Sequence, residues 1–186
     1  MSEAQELLEL AVQVGAIKYG EFTLSSGQKS SYYFDGRLLS LHPAGAYLIG
    51  RLLLPIVRTA GAQAIGGPTL GADPIVAAVA LTSHLAGTPV PAFIVRKEAK
   101  GHGTGQLIEG PLAKGTPVAI VDDVCTTGGS LFHAIAAAEA HGCKVAQVIA
   151  ILDRCQGGGD DLRKRGYAFT AVLESTPEGR VRVAGG

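Results

Sequence analysis

From residue 62 onward the chain alternates short apolar runs with stretches of helical period, and this alternation narrows the choice of fold more than any other feature. Residues 62–66, 91–95, 116–121, 144–152 and 168–173 read as buried strands. Residues 74–86 and 130–141 read as helices, the second Ala-rich and closed by Gly142. Strands without a polar face need cover on both sides. The pattern therefore predicts an α/β domain: a parallel, twisted sheet with helices on both faces. Upstream, Ser2 is placed to cap a first helix with Glu3 and Glu6 in its opening turn. Two β-like runs at 21–24 and 31–35 follow, and Pro43 opens a second helix. All 186 residues fit one domain.

Glycines cluster at 66–71, 101–110, 128–129 and 157–159, mostly just after predicted strands. Open α/β sheets bind ligands at the carboxyl ends of their strands, so these loops are expected to share one site. Sixteen basic and sixteen acidic residues cancel. A neutral chain lacks the electrostatic footprint of a nucleic-acid or anionic-membrane partner, and any cationic site must be local. Cys125, Cys143 and Cys155 form no CxxC pair and are odd in number, which argues against a disulfide framework or zinc and for a reducing cytosol. The acidic, amphipathic start is unlike a secretory signal, and no window approaches the ~20 apolar residues of a membrane helix. The expectation is a soluble, cytoplasmic protein.

The densest chemical signal is AIVDDVCTTGGS, residues 119–130. An apolar strand ends in Asp122 and Asp123, and a hydroxyl- and glycine-rich turn then opens a helix. Main-chain N–H groups at a helix start, with the positive end of the helix dipole, bind phosphate. Thr126, Thr127 and Ser130 add hydroxyl donors, while Gly128 and Gly129 let the main chain close around an anion. Two carboxylates beside a phosphate repel it unless they hold something else, and ribose hydroxyls or magnesium meet that need. The segment suits a phosphorylated sugar. It is neither a Walker A loop nor a GxGxxG fingerprint.

This run resembles the phosphoribosyl-pyrophosphate motif of type I phosphoribosyltransferases, in which Asp122, Asp123, Val124, Cys125, Thr126, Thr127, Gly128, Gly129 and Ser130 would form the phosphosugar cradle. A second string, RKEAKGHGTG at 96–105, places cationic side chains directly before glycines after a strand. Alone it would read as a solvated charge run. Beside a phosphosugar cradle it resembles the RKxxKxHG catalytic loop of orotate phosphoribosyltransferases. The resemblance implies that Arg96, Lys97, Lys100 and His102 contact pyrophosphate, with Lys100, His102, Asp122 and Asp123 as the catalytic set.

Two more stretches agree with that branch of the family. Residues 19–37, YGEFTLSSGQKSSYYFDGR, resemble the segment that folds as a hood over the base, within a hood formed mainly by about residues 1–40. ILDRCQGG, residues 151–158, resembles the LDRxxGG stretch, which puts Arg154 on orotate with Thr126 assisting. An arginine fork pairs bidentately with a carboxylate. GGPTLGADP, residues 66–74, sits where the family has its pyrophosphate loop, so Thr69, Leu70 and Gly71 are expected to offer N–H groups to the anion. Some bacterial members carry lysines where this chain has Ser25 and Gly71, and Lys29 is the nearest hood cation. His42, His84, His133 and His141 keep no catalytic company, and Cys125 lacks a base partner.

The resemblance implies the type I phosphoribosyltransferase fold, Mg2+ held mainly through the substrate with no direct protein ligand, and a homodimer with shared active sites. It implies a pentosyltransferase that joins orotate to phosphoribosyl pyrophosphate in de novo pyrimidine (UMP) biosynthesis. Either Lys100 or His102 would protonate the leaving group. A purine-type transferase uses the same cradle, but the KxHG loop and Arg154 argue against it. A regulatory binding protein would need a basic surface, which neutral charge disfavours.

Overall fold

The structure is a computed structural model and describes residues 1–23, 27, 29–98 and 107–185. Lys100, His102 and Ser25 lie outside the described residues.

Seven strands form the main sheet. These are β3 (Ala64–Pro68), β4 (Ala92–Val95), β5 (Ile108–Glu109), β6 (Pro117–Cys125), β7 (Lys144–Asp153), β8 (Phe169–Ser175) and β9 (Val181–Val183), in the order β5-β4-β3-β6-β7-β8-β9. Strands β4, β3, β6, β7 and β8 run parallel. The edges β5 and β9 are antiparallel, so the sheet is mixed where the pattern predicts an all-parallel one. Each edge strand is too short to leave a periodic trace.

Alternation along the central strands divides the core in two. Ala119, Val121, Ile149 and Ile151 face the layer built from α1 (Glu3–Gln13), α3 (Pro43–Thr59) and α4 (Asp73–Leu85). Val118, Ile120, Val148 and Ala150 face α5 (Gly129–Ala140) and α6 (Gly158–Lys164). Both faces are covered, as the apolar strands require. Ser2 caps α1 by accepting from the Gln5 N–H, as expected, and Leu7 and Ala11 of that helix join the first core. No described helix is long and apolar enough to cross a membrane.

A separate antiparallel hairpin, β1 (Ile17–Thr23) with β2 (Lys29–Phe34), lies upstream. Within β2, Tyr32 and Phe34 are buried while Tyr33 is exposed. Ser31 Oγ donates to the Gly179 carbonyl at 3.0 Å, and the Val181 N–H donates to Tyr19 Oη at 3.3 Å. These bonds dock the hairpin on the β8–β9 end of the sheet. A five-residue helix, α2 (Gly36–Ser40), then carries the chain from hairpin to core. Its cap is Asp35, whose carboxylate accepts the Arg37 N–H at 3.1 Å.

Candidate active site

Strand β6 runs to Cys125, further than its apolar run predicts, so Asp122 and Asp123 sit within the strand end. The turn that follows closes through Gly128, whose φ of +80° is the left-handed conformation glycine adopts freely. The Phe132 N–H bonds the Gly128 carbonyl at 2.9 Å and starts α5. Among the described residues, the N–H groups of Thr127, Gly128, Gly129 and Ser130 make no main-chain hydrogen bond. They are the orphan donors of a helix start, and all four residues line one cavity of about 470 Å³.

The acid pair forms the floor of that cavity. Asp122 is 5% exposed; its Oδ2 accepts from Ser130 Oγ at 2.6 Å and its Oδ1 from the Asp123 N–H at 2.9 Å. Burial pushes the Asp122 carboxyl up to about 7, against the Ser130 bond that favours its charge. Asp123 is also raised by burial, though Arg37 pulls the other way. Buried carboxyls pushed up by burial and only partly offset by a cation mark a place where a ligand completes the electrostatics.

Backbone crowds Asp123 from two sides. A Cβ on Gly36 would lie 2.6 Å from Asp123 Cβ, and one on Gly71 would lie 2.6 Å from Asp123 Oδ1 and 2.8 Å from Asp122 Oδ1. Gly71 belongs to the loop after β3, and Thr69, Leu70 and Gly71 all line the cavity, as expected. The Thr69 N–H, however, is spent on the Val95 carbonyl at 3.0 Å, and its hydroxyl donates to Asp73 at 2.8 Å. Of the three N–H groups expected to face an anion, those of Leu70 and Gly71 make no main-chain bond among the described residues.

Asp122, Asp123, Val124, Thr126, Thr127, Gly128, Gly129, Ser130 and Lys97 are thus brought together, as the sequence pattern expects. Three expected members, Cys125, Arg96 and Arg154, do not line it. Cys125 is wholly buried in the core against α5 and α6, and does not line the cavity. Strand alternation turns its side chain into that layer, and burial pushes its thiol up to about 12. Arg96 also lies off the cavity, pairing with Glu109 across β4 and β5 at 3.6 Å. It lines a neighbouring depression that shares Thr69, Leu70 and Lys97. Lys29 belongs to a third depression on the hairpin and offers the cavity no charge.

Arg154 follows β7 and is tied to the phosphate turn by main chain: its N–H donates to the Cys125 carbonyl at 2.8 Å, and the Gly158 N–H to the Thr126 carbonyl at 3.0 Å. Its guanidinium lies over the Tyr32 ring at 4.8 Å. The residue is 9% exposed, and its Nη1 has no hydrogen-bond partner among the described residues. A buried guanidinium nitrogen without an acceptor is costly unless a ligand supplies one.

Sequence reasoning missed Arg37, Tyr33 and Asp35 as cavity residues. The motif DGR was visible at 35–37, but only the fold brings α2 to the acid pair. Ring nitrogens of His133 and His141 lie 2.8 and 3.1 Å from the carbonyls of Arg96 and Leu112, and neither these two nor His42 and His84 line the cavity.

An apolar strand ending in buried paired acids, a helix-start turn of unbonded N–H groups and the glycine-bearing loop after β3 line one cavity suited to a phosphorylated sugar. Residues 40–171 match the phosphoribosyl transferase domain family, and the chain belongs to that family. Among its relatives are orotate phosphoribosyltransferases. The chain is 49% identical to the one from a Nostoc species over 91% of this chain and 82% of that one. It is 51% identical to that of Thermosynechococcus vestitus, over 91% and 89%. Among solved structures it is similar to Mycobacterium tuberculosis orotate phosphoribosyltransferase in complex with 5-phospho-alpha-D-ribosyl 1-diphosphate, with a TM-score of 0.78, 35% identity, and 93% and 96% coverage.

Proposed function

We infer that this chain is an orotate phosphoribosyltransferase: a ring nitrogen of orotate displaces pyrophosphate from the anomeric carbon of phosphoribosyl pyrophosphate, giving orotidine 5'-monophosphate in UMP synthesis. The observation that carries the reading is an anion turn and buried acid pair in one cavity, with Arg154, whose Nη1 lacks an acceptor among the described residues, tied to the same turn by main chain.

The free N–H groups of Thr127 to Ser130 bind the 5'-phosphate, and the hydroxyls of Thr126, Thr127 and Ser130 add donors. Asp122 and Asp123 hold the ribose hydroxyls and favour positive charge developing on the sugar as the leaving group departs. Leu70, Gly71 and Lys97 receive the pyrophosphate. Arg154 pairs with the orotate carboxylate, its ring-stacked guanidinium fixed by Tyr32, and Thr126 assists. Lys100 or His102, outside the described residues, supplies the leaving-group proton.

The oxygen-rich acid pair fits Mg2+, a hard cation. The ion is held mainly through the substrate's oxygens. Bound there, it would neutralise charge developing on pyrophosphate. The working form is a homodimer with shared active sites, acting in the cytoplasm. Arg96, off the cavity and at the start of the cationic segment, is consistent with a contact to a second copy.

The test is to mix protein, orotate, phosphoribosyl pyrophosphate and magnesium and follow orotate's ultraviolet absorbance, with adenine, hypoxanthine and uracil in parallel. Magnesium-dependent loss of orotate, with poor use of the other bases, is the expected result. Turnover of a different base would overturn the role of Arg154 and keep the cradle.

A further inference from the structure

The ligand of this cavity carries a monophosphate and a pyrophosphate, yet its described wall holds more acids than bases. Asp35, Asp122 and Asp123 line it against Arg37 and Lys97. Lys97 leads into the cationic segment that follows β4; Arg37 stands in the first turn of α2, at the end of the expected hood segment, with no role of its own assigned so far. Its backbone is fixed, because Gly36 packs against Asp123 and the Arg37 N–H bonds the Asp35 cap.

The guanidinium is presented rather than buried. Its Nε and Nη2 donate to the two Asp35 oxygens at 3.0 and 3.2 Å, and the side chain is 53% exposed. Two prongs of the fork are used, and Nη1 makes no bond among the described residues. The Asp123 charge reaches Arg37 and favours its cation. On the other flank of Asp123 stands Gly71, in the loop assigned to pyrophosphate. Hood helix and loop therefore converge on one carboxylate, and Arg37 is the cation at that convergence.

We propose that Arg37 is a ligand-binding residue of this site, its guanidinium held ready by Asp35 to bind pyrophosphate oxygens beside Asp123. This rests on the reading of the cavity as a phosphoribosyl pyrophosphate site. The planar fork matches a phosphate edge bidentately, and a lysine does not reproduce that geometry.

The experiment is calorimetric titration of magnesium phosphoribosyl pyrophosphate, and separately of magnesium pyrophosphate, into wild type, Arg37→Gln and Arg37→Lys, with a melting curve for each. Arg37→Gln is expected to weaken both ligands roughly tenfold or more, the loss of a charge-assisted pair. Arg37→Lys should fall between it and wild type, and the KM for orotate should move far less than that for phosphoribosyl pyrophosphate. Unchanged affinities in Arg37→Gln, with a lowered Tm, would make Arg37 only the partner of Asp35 and overturn the proposal. Should Arg37→Gln fail to fold, Arg37→Lys decides: affinity several-fold below wild type supports the role, and equal affinity removes it. Because binding is read without the base, a failure of orotate turnover would fault the substrate assignment and leave this test standing.

Discussion

Ser130 Oγ donates a 2.6 Å hydrogen bond to Asp122 Oδ2, tying the first turn of α5 to the carboxyl end of β6. The bond favours the Asp122 carboxylate, yet burial outweighs it and holds the group near 7 in place of its ordinary 3.8. One contact thus joins the turn proposed for the phosphate to the acid proposed for the sugar, and the acid sits there at a cost.

That cost has a pH sign. An acid raised on folding binds its proton more tightly in the native state, so its destabilisation is absent below about pH 4, grows from there and is complete above about pH 7. Asp122→Asn should therefore raise Tm by a few degrees at pH 8 and hardly change it at pH 4, while abolishing turnover. Melting curves at the two pH values, with an activity assay, check both halves.

Gly129 and Gly71 should separate fold from function in different ways. A Cβ at Gly129 meets nothing within 4 Å and projects at the first residue of α5. Gly129→Ala is expected to leave Tm unchanged or raised, by up to about 1 kcal/mol in stability, and to weaken phosphoribosyl pyrophosphate binding by occupying phosphate space. Gly71→Ala instead drives a methyl to within 2.6 Å of Asp123. It should lower both Tm and affinity. Titration and melting of the two variants side by side distinguish them.

Arg154→Ala should raise the KM for orotate by roughly two orders of magnitude, the loss of a buried charged pair of about 2–4 kcal/mol. Affinity for phosphoribosyl pyrophosphate, measured by calorimetry without base, should stay near wild type. Equal loss of both ligands would show that the side chain merely braces the Tyr32 hairpin.

Cys125 should tolerate replacement. Its thiol is core material and pushed up to about 12, so iodoacetamide at pH 7.5 should leave it unlabelled in the native protein. Cys125→Ala should keep kcat within about threefold and cost about 1 kcal/mol for the lost volume. Rapid labelling of native Cys125 would contradict its placement.

The β6–turn–α5 unit was legible because all of its determinants are local: an apolar run, two acids, then hydroxyls and glycines over twelve residues. The central strands were legible for a similar reason, since burial on both faces leaves them uniformly apolar. Arg37 was not, because its relation to Asp123 arises only when α2 folds against the end of β6, and five residues are too few for a helical period to declare itself. The pairing of Arg96 with Glu109 was not legible, because charge composition says nothing about which strand lies beside β4; β5 does, and supplies Glu109. Cys125 was counted with its neighbours by contiguity, whereas strand geometry sends alternate residues to opposite faces.

The pinch of Gly36 and Gly71 on Asp123 gives the proposed site two kinds of material. Beside Asp123 the walls are the main chain of Gly36 and Gly71, and a methyl added at either one runs into that side chain, so substitution there has almost no room to explore. Tyr32 and Arg154, proposed above for the base, lie off that cavity and meet through side chains alone, the guanidinium 4.8 Å over the ring. A lineage of such proteins can therefore drift or be retuned toward other bases while the sugar it accepts stays fixed, and directed evolution for new nucleotides should draw its productive substitutions from the hairpin and the segment after β7.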